Sequence, residues 1–390
     1  MRIALLSDNF PSKGNPTYIF VQQLVFALVD QGVEVSVIAP QSITHIMFRG
    51  GKLLPKCSDE KTAKGNHFKV YRPYDITFGN KLSYLTKFTK GAFNCQLISI
   101  LNSIKPDVLY GHFWHAAYTM KDYALKHNLP LFVACGEGDN ALEQLVETVS
   151  VKNKEELVEA VKGVISVSSE NKRKCIAYEL AKEEDIVVLP NCVDDTLFYP
   201  ADGTALRRKL GVGDKDFFIL FIGGFITRKG PDRLSQAIDR INDPSIKVAF
   251  IGKPMAGDTV IPSCKGIVFL GSLEHDLLPE YFNAADVFVL PTQKEGCSNA
   301  IVESLACGTP VISANRPFNA DILNENNSIM VDPDSVDEII EAISKLKDNV
   351  DLLNKKKEYA EKHSHNYSIK GRAMRIYEFI DKKVKEYDKE

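Results

Sequence analysis

Glu295 and Glu303 bracket the segment Glu295-Gly-Cys-Ser-Asn-Ala-Ile-Val-Glu303, which runs on into Ser304-Leu-Ala-Cys-Gly-Thr-Pro310. Pro291 and Gly296 mark a loop after the apolar run Val287–Leu290, and Gly308 with Pro310 end the helix that follows. Glu295 therefore belongs to the loop, and Glu303 to the helix, a turn or so in. At the helix start the N–H groups of Asn299, Ala300 and Ile301, just past Gly296 and Ser298, have no intrahelical acceptors and point back toward the strand ends. That makes a ready anion site. A carboxylate on each side of it would repel a simple anion. A diphosphate with a hydroxyl-rich sugar at both ends resolves the conflict, because carboxylates accept hydrogen bonds from paired hydroxyls. These features together fit a nucleotide sugar.

Such loops must be held by a sheet. Short runs of Val, Ile, Leu and Phe alternate with longer helical patterns along the whole chain, the pattern of parallel βαβ units and an α/β fold. In the first half, strands are predicted at Arg2–Ser7, Val33–Ala39, Asp107–Gly111, Leu131–Cys135, Val164–Ser168 and Ile186–Leu189, with a helix over Thr17–Gln31. Polar, turn-rich sequence from Asn191 to Gly203 reads as a hinge. The alternation restarts with strands at Phe217–Ile222, Lys247–Ile251, Ile267–Leu270, Val287–Leu290 and Val311–Ser313, and helices over Asp232–Ile241 and Ser298–Cys307. Two similar halves follow, residues 1–195 and 196–366, with a site expected in a cleft between them, beyond the carboxyl ends of the strands. The charged tail Tyr367–Tyr387 carries Ile369, Ala373, Ile376, Phe379 and Ile380 on one stripe and is predicted to pack back on the first half.

The 390 residues allow two to three domains at roughly 150 each. With 44% hydrophobic and 25% charged residues the chain is not disordered, collagenous or a disulfide scaffold. A net charge of -3 gives no global drive toward nucleic acid. Eight scattered cysteines without a Cys-x-x-Cys pair read as free thiols in a reducing compartment. His112 and His115 share one face if that stretch is helical, but no further Cys or His stands near to complete a zinc set, so no metal is expected. The opening apolar run stops at Asp8, too short for a signal peptide, and no run reaches the roughly 18 residues of a membrane span. A cytoplasmic protein is expected.

The segment from Glu295 to Val311, Glu-Gly-x-x-Asn-x-x-x-Glu-x-x-Ala-x-Gly-Thr-Pro-Val, resembles the donor-site signature of the retaining glycosyltransferases of family 4 (glycosyltransferase group 1). Those enzymes have the GT-B fold, two Rossmann-like parallel α/β domains facing across a cleft. Phe20 to Val35, Val188-Leu-Pro-Asn-Cys-Val-Asp194, Lys229-Gly230, Phe269-Leu-Gly271 and Ala284 to Thr292 resemble family segments in the expected order. The resemblance implies transfer of a sugar from a nucleotide-sugar donor, with UDP-sugars favoured, to a glycan or lipid-linked saccharide, with retention and without a metal, in cell-surface polysaccharide biosynthesis. It gives Glu303 to the donor ribose, Glu295 to the transferred sugar, and Lys229, in Ile222-Gly-Gly-Phe-Ile-Thr-Arg-Lys-Gly230, to the diphosphate. Arg228 is a second cation beside it, although neighbours in a strand-to-helix turn often point apart. Base contacts through backbone fall around Gly252 and Leu273.

Three positions depart from the pattern. Many family members carry Arg where this chain has Gly224, so one phosphate contact is missing or is supplied by Arg228. On the acceptor side the family has a His-Gly pair, and here the stretch reads Ala134-Cys135-Gly136-Glu137, with Cys135 in the His position. His112, one strand earlier, is the substitute or a packing residue. Late in the second half the family's Gly-Gly before Pro-Glu is replaced by Pro317, Phe318, Ala320 and Asp321. In the first βα turn, Asn9–Pro16, Gly14 permits close backbone approach to donor phosphate or acceptor, and the same residues also read as a surface turn.

Gly136-Glu-Gly138-Asp-Asn-Ala141 satisfies a dinucleotide pattern, but after an interior strand. Asp332-Pro-Asp334 reads as a helix start instead of a metal motif. A glycoside hydrolase using Glu295 and Glu303 would leave Lys229 without a task. A chain that keeps the fold as a binding or scaffold protein is the non-enzyme alternative. Residues 80–105 place Leu82, Leu85, Phe88, Ala92 and Phe93 opposite Lys87 and Lys90, a helix suited to an anionic membrane surface, on the inner face of the membrane, or to a domain surface.

Overall fold

The runs of Val, Ile, Leu and Phe become parallel strands in a computed structural model, which describes residues 1–12, 17–49, 52–76, 83–137, 141–255 and 257–387. The chain forms two units. The first is Met1–Val167, Asn171–Leu189 and Ala373–Glu390, and the second is Ser168–Glu170 and Pro190–Arg372.

The first unit is built on β1 (Arg2–Leu6), β2 (Glu34–Ile38), β4 (Cys57–Lys61), β5 (His67–Tyr71), β7 (Val108–His112), β8 (Leu131–Cys135), β9 (Val161–Ser166) and β10 (Ile186–Val188), with β3 (Gln41–Ser42) and β6 (Tyr74–Asp75) as a separate pair. The sheet order is β10-β9-β8-β7-β1-β2-β5-β4. All neighbours are parallel except β4 and β5. Parallel strands covered on both faces need apolar residues at every position, and β7 and β8 are buried throughout. The polar edge pair β4 and β5 lies outside the strands expected from sequence. β5 alternates exposed and buried residues and β4, at the edge, exposed and half-buried ones, as an antiparallel edge does.

The second unit has β11 (Phe217–Ile222), β12 (Ile246–Ile251), β13 (Ile267–Gly271), β14 (Val287–Leu290), β15 (Val311–Ala314) and β16 (Ser328–Val331), ordered β13-β12-β11-β14-β15-β16 and parallel throughout. Phe218, Phe221, Phe250, Phe282 and Phe288 are fully buried in its core. Each such side chain contributes about 1.5–3 kcal/mol on burial.

The final helix, Ile369–Tyr387, passes from the second unit to the first at Ala373. Ala373, Ile376 and Ile380 are buried, the Phe379 ring meets Phe132 edge-on with ring centroids 6.2 Å apart, and Lys383 pairs with Asp185 at 2.6 Å. The helix Ser83–Ile104 turns Leu97 and Leu101, with Phe93 partly buried, onto the first core. Ala92 and Lys90 are exposed, while residues 80–82 and the side chains of Leu85, Lys87 and Phe88 lie outside the described residues. His112 and His115 do not share a helix: His112 ends β7, and His115 follows in the helix Trp114–His127. Among the described residues no helix is long and apolar enough to cross a membrane.

Candidate functional site

In the second sheet the chain runs outward from β11 through β12 to β13, then returns to the other side of β11 as β14. The loops leaving β11 and β14 therefore diverge, which opens a crevice at their carboxyl ends. From β11 the chain passes Gly223 and Gly224 into a tight turn, Thr227–Lys229, and the helix Pro231–Ile241. Gly230 joins them at φ 77°, where a Cβ would come within 2.8 Å of the Pro291 carbonyl oxygen, so only glycine fits. Arg233 ties the two loops by donating to Thr227 O and Pro291 O, each at 2.9 Å.

This turn carries Lys229 and Arg228 to Glu295. Lys229 Nζ donates to Glu295 Oε1, the Thr292 hydroxyl donates to the same oxygen at 2.7 Å, and Arg228 Nη1 lies 3.5 Å from it. Arg228 also donates to the Lys294 carbonyl. The two cations do not point apart, as neighbours in such a turn often do: the tight turn aims both at one carboxylate. Lys229 and Glu295 are mostly buried, with side chains 17% and 12% exposed, where charges interact more strongly than in water.

The loop from β14 continues past buried Gly296 to Ser298, which is extended and opens the helix Asn299–Ala306 without a side-chain cap bond. Asn191 Nδ2 holds this start by donating to Cys297 O at 3.1 Å and Asn299 Oδ1 at 2.8 Å. Ala300 is half-buried and Ile301 fully buried. Burial pushes the Cys297 thiol up to about 12, so it stays protonated at neutral pH. Glu303, one turn in, is 6% exposed and lies 2.8 Å from His275 Nε2. Burial lowers the pKa of His275, but the hydrogen bond and charge of Glu303, with the charge of Asp276, outweigh it and raise the pKa above the ordinary 6.5. Sequence reasoning missed His275 and Thr292. Thr292 stood inside a quoted motif segment, while His275 carries no spacing signal toward Glu303.

Gly252 sits where a Cβ would lie 1.9 Å from the Gly223 carbonyl oxygen, and Leu273 packs half-buried against the core. The Asp332–Asp334 pair does not cap the following helix. Ser335 does, accepting from Glu338 N at 3.2 Å, while Arg316 pairs with both aspartates. Among the described residues no group of three His, Cys, Asp or Glu is placed to hold a metal.

In the first unit Gly14 lies outside the described residues. Cys135 does not take the place of an acceptor-side histidine: its side chain is fully buried, 3.5 Å from Cys175 Sγ. At Gly136, next in the chain, a Cβ would lie 3.2 Å from the Phe113 ring and 3.3 Å from Val167. His112 is buried among rings, with Phe113 at 4.7 Å and Phe20 at 5.4 Å between centroids.

Two Rossmann-like parallel-sheet units, with this crevice in the second, define a protein of the GT-B fold. Residues 19–197 match the family model Glycosyltransferase Family 4, and residues 202–363 match Glycosyl transferases group 1. The chain belongs to this glycosyltransferase family. It is 24% identical over 360 residues to the putative teichuronic acid biosynthesis glycosyltransferase TuaC of Bacillus subtilis, covering 88% of this chain and 89% of that one. It is 31% identical over 181 residues to a D-inositol 3-phosphate glycosyltransferase of Geodermatophilus obscurus, covering 42% and 40%. Among solved structures it resembles a sucrose-phosphate synthase from Thermosynechococcus elongatus, with TM-score 0.77, 16% identity and 98% of each chain covered. It also resembles Anabaena HepE in complex with UDP, with TM-score 0.73, 17% identity and 98% and 100% covered. Both family models describe glycosyltransferases, and the hydrolase alternative gains no support from them.

Proposed function

We propose that the protein is a retaining glycosyltransferase that uses a nucleotide-sugar donor, with UDP-sugars favoured, and a glycan or lipid-linked saccharide acceptor in cell-surface polysaccharide biosynthesis. The observation that carries this reading is the gathering of Lys229, Arg228 and Thr292 on Glu295 at the switch point of the second sheet. A donor diphosphate competes for the two cations, and the freed Glu295 accepts hydrogen bonds from the sugar hydroxyls. The N–H groups of Asn299, Ala300 and Ile301 add donors for phosphate, and Glu303, held by His275, faces the ribose hydroxyls. The structures of HepE with UDP and with UDP-glucose support UDP as the nucleotide, and the name of TuaC supports a polysaccharide product.

The bond from the anomeric carbon to the diphosphate oxygen breaks, the acceptor oxygen attacks from the same face, and its proton passes to the departing phosphate oxygen. Lys229 and Arg228 stabilise the negative charge that develops there, so the protein supplies positioning and charge. The test is nucleotide release from a panel of UDP-, GDP- and ADP-sugars, since slow donor hydrolysis reveals the donor before the acceptor is known. Release from UDP-sugars alone is expected. Absence of release from every donor, with and without a membrane extract as acceptor source, overturns the reading.

A further inference from the structure

The sulfurs of Cys135 and Cys175 face each other at 3.5 Å, both as free thiols and with neither side chain exposed. Cys135 closes β8, and Cys175 points inward from the helix Ser169–Ala177, whose outer face exposes Arg173 and Ile176. One nine-residue helix thus lies over the pair. The hydrogen bond to Cys175, burial and the charge of Glu137 hold the Cys135 thiol well above its ordinary range, so it stays protonated at rest.

The segment after Cys135 is tied on two sides. Glu137 O accepts at 3.0 Å from Asn171 Nδ2, which stands on the same helix as Cys175. Glu137 Oε1 accepts at 2.8 Å from Trp114 N, the first residue of the helix Trp114–His127. Just before that helix Phe113 is held at φ 80°, a conformation that bulky side chains rarely adopt. The two sulfurs, the Gly136–Glu137 segment and the strained turn at Phe113 are therefore mechanically one block. A disulfide needs its sulfurs about 2.05 Å apart, so forming one draws the helix and the strand end together by about 1.5 Å. A close-packed core has no slack to absorb such a shift, and the hydrogen bonds of Glu137 carry it to the turn.

We propose that Cys135 and Cys175 form a redox switch, which hydrogen peroxide closes to a disulfide and a dithiol reopens, and whose closure displaces Glu137 and the Phe113–Trp114 turn. Local opening of the helix Ser169–Ala177 admits the peroxide. One sulfur, as thiolate, attacks a peroxide oxygen, which breaks the O–O bond and leaves a sulfenic acid and hydroxide. The other sulfur, as thiolate, then attacks the sulfenic sulfur and expels a second hydroxide. The two thiol protons convert both hydroxides to water, so two electrons pass from the pair to the peroxide. That closure slows sugar transfer rests on the glycosyltransferase reading; that the pair closes does not.

Trp114, the chain's one tryptophan, lies in the same core cluster as both cysteines, so its fluorescence reports on the switch. The full chain, with the exposed thiols removed by Cys57→Ser and Cys95→Ser, is treated with hydrogen peroxide and then with dithiothreitol. Peptide mapping after alkylation is expected to find Cys135 linked to Cys175, with Trp114 emission quenched, and dithiothreitol is expected to reverse both. Turnover of UDP-sugars with a membrane extract as acceptor source should fall at least about tenfold in the linked form, as misplacement by an ångström does. UDP affinity, which belongs to the second unit, should stay unchanged. Adding Cys175→Ala should abolish the linkage, the quenching and the loss of turnover. Recovery of both sulfurs as alkylated thiols, or a linked protein with unaltered emission or unaltered turnover, overturns the proposal. If even the reduced protein releases no nucleotide, the glycosyltransferase reading fails, while mapping and fluorescence still decide the switch.

Discussion

His275 Nε2 lies 2.8 Å from Glu303 Oε1, joining a short turn before the helix Leu278–Ala284 to the second turn of the helix Asn299–Ala306. The bond fixes the carboxylate assigned to the donor ribose. His275→Gln is expected to raise the donor KM about 3- to 10-fold with little change in kcat, the size of one hydrogen bond. The pH dependence carries a sign. The imidazolium is stabilised in the folded state, so the pair's contribution to stability is complete below pH 6.5 and is lost as pH rises through the raised pKa. Wild-type Tm should therefore fall between pH 6 and 8.5 by more than that of His275→Gln, read by thermal shift. Equal slopes in the two proteins exclude the coupling.

Lys229 reaches Glu295 from the turn after β11, and Arg228 and Thr292 reach the same oxygen. Replacing Lys229 by Ala leaves Glu295 with two partners, Arg228 and Thr292, so the fold should persist with a stability loss of about 1–3 kcal/mol. Turnover should nevertheless fall about 10²- to 10³-fold, because the lost cation faces charge that develops in the transition state. Steady-state nucleotide release gives the answer, and near-normal kcat would show the diphosphate to be held elsewhere.

Asp286 accepts from Phe218 N at 2.8 Å and from Arg207 Nη1 and Lys357 Nζ at 3.0 Å each. Burial raises its pKa, but Lys357, the Phe218 N–H and Arg207 outweigh burial and hold it below 3.8. Its stabilisation is thus present above pH 3.8 and lost as pH falls through the depressed value. Asp286→Asn leaves two cations without their partner and should cost about 2–3 kcal/mol in urea unfolding at pH 7. The gap between wild type and variant should close in acid.

Legibility in the sequence followed burial. Leu131–Cys135, Phe217–Ile222 and Val287–Leu290 are strands to the residue as expected, because a strand covered on both faces is apolar at each position. Cys57–Lys61, with one face in solvent, gave no such run, and the helix Val350–His363 buries little beyond Leu353, Lys356 and Ala360 and shows no clear stripe. Glu295 could be placed on its loop because Pro291 and Gly296 mark it, whereas Lys229 stood out only through the resemblance of Lys229-Gly230 to a family segment. The contact of His275 with Glu303 crosses two elements with no motif between them, and Cys135 turns into the core by the pleat of β8, which neighbouring residue types did not reveal.

Gly224 offers a test of how the phosphate charge is shared. It is not among the positive-φ glycines, so its φ does not demand glycine. A Cβ there would lie 2.9 Å from Met255 Sδ, and Met255 is 51% exposed and flexible enough to swing aside. Gly224→Arg should therefore fold with a loss below about 1 kcal/mol. If the family's arginine contact is absent from this chain, the new guanidinium should lower the donor KM about 3- to 10-fold. If Arg228 already fills that place, Gly224→Arg should change KM little, and it should restore donor binding only in the Arg228→Ala background. Donor titrations of the two single variants and the double variant separate these outcomes, since only the second makes the substitutions compensate.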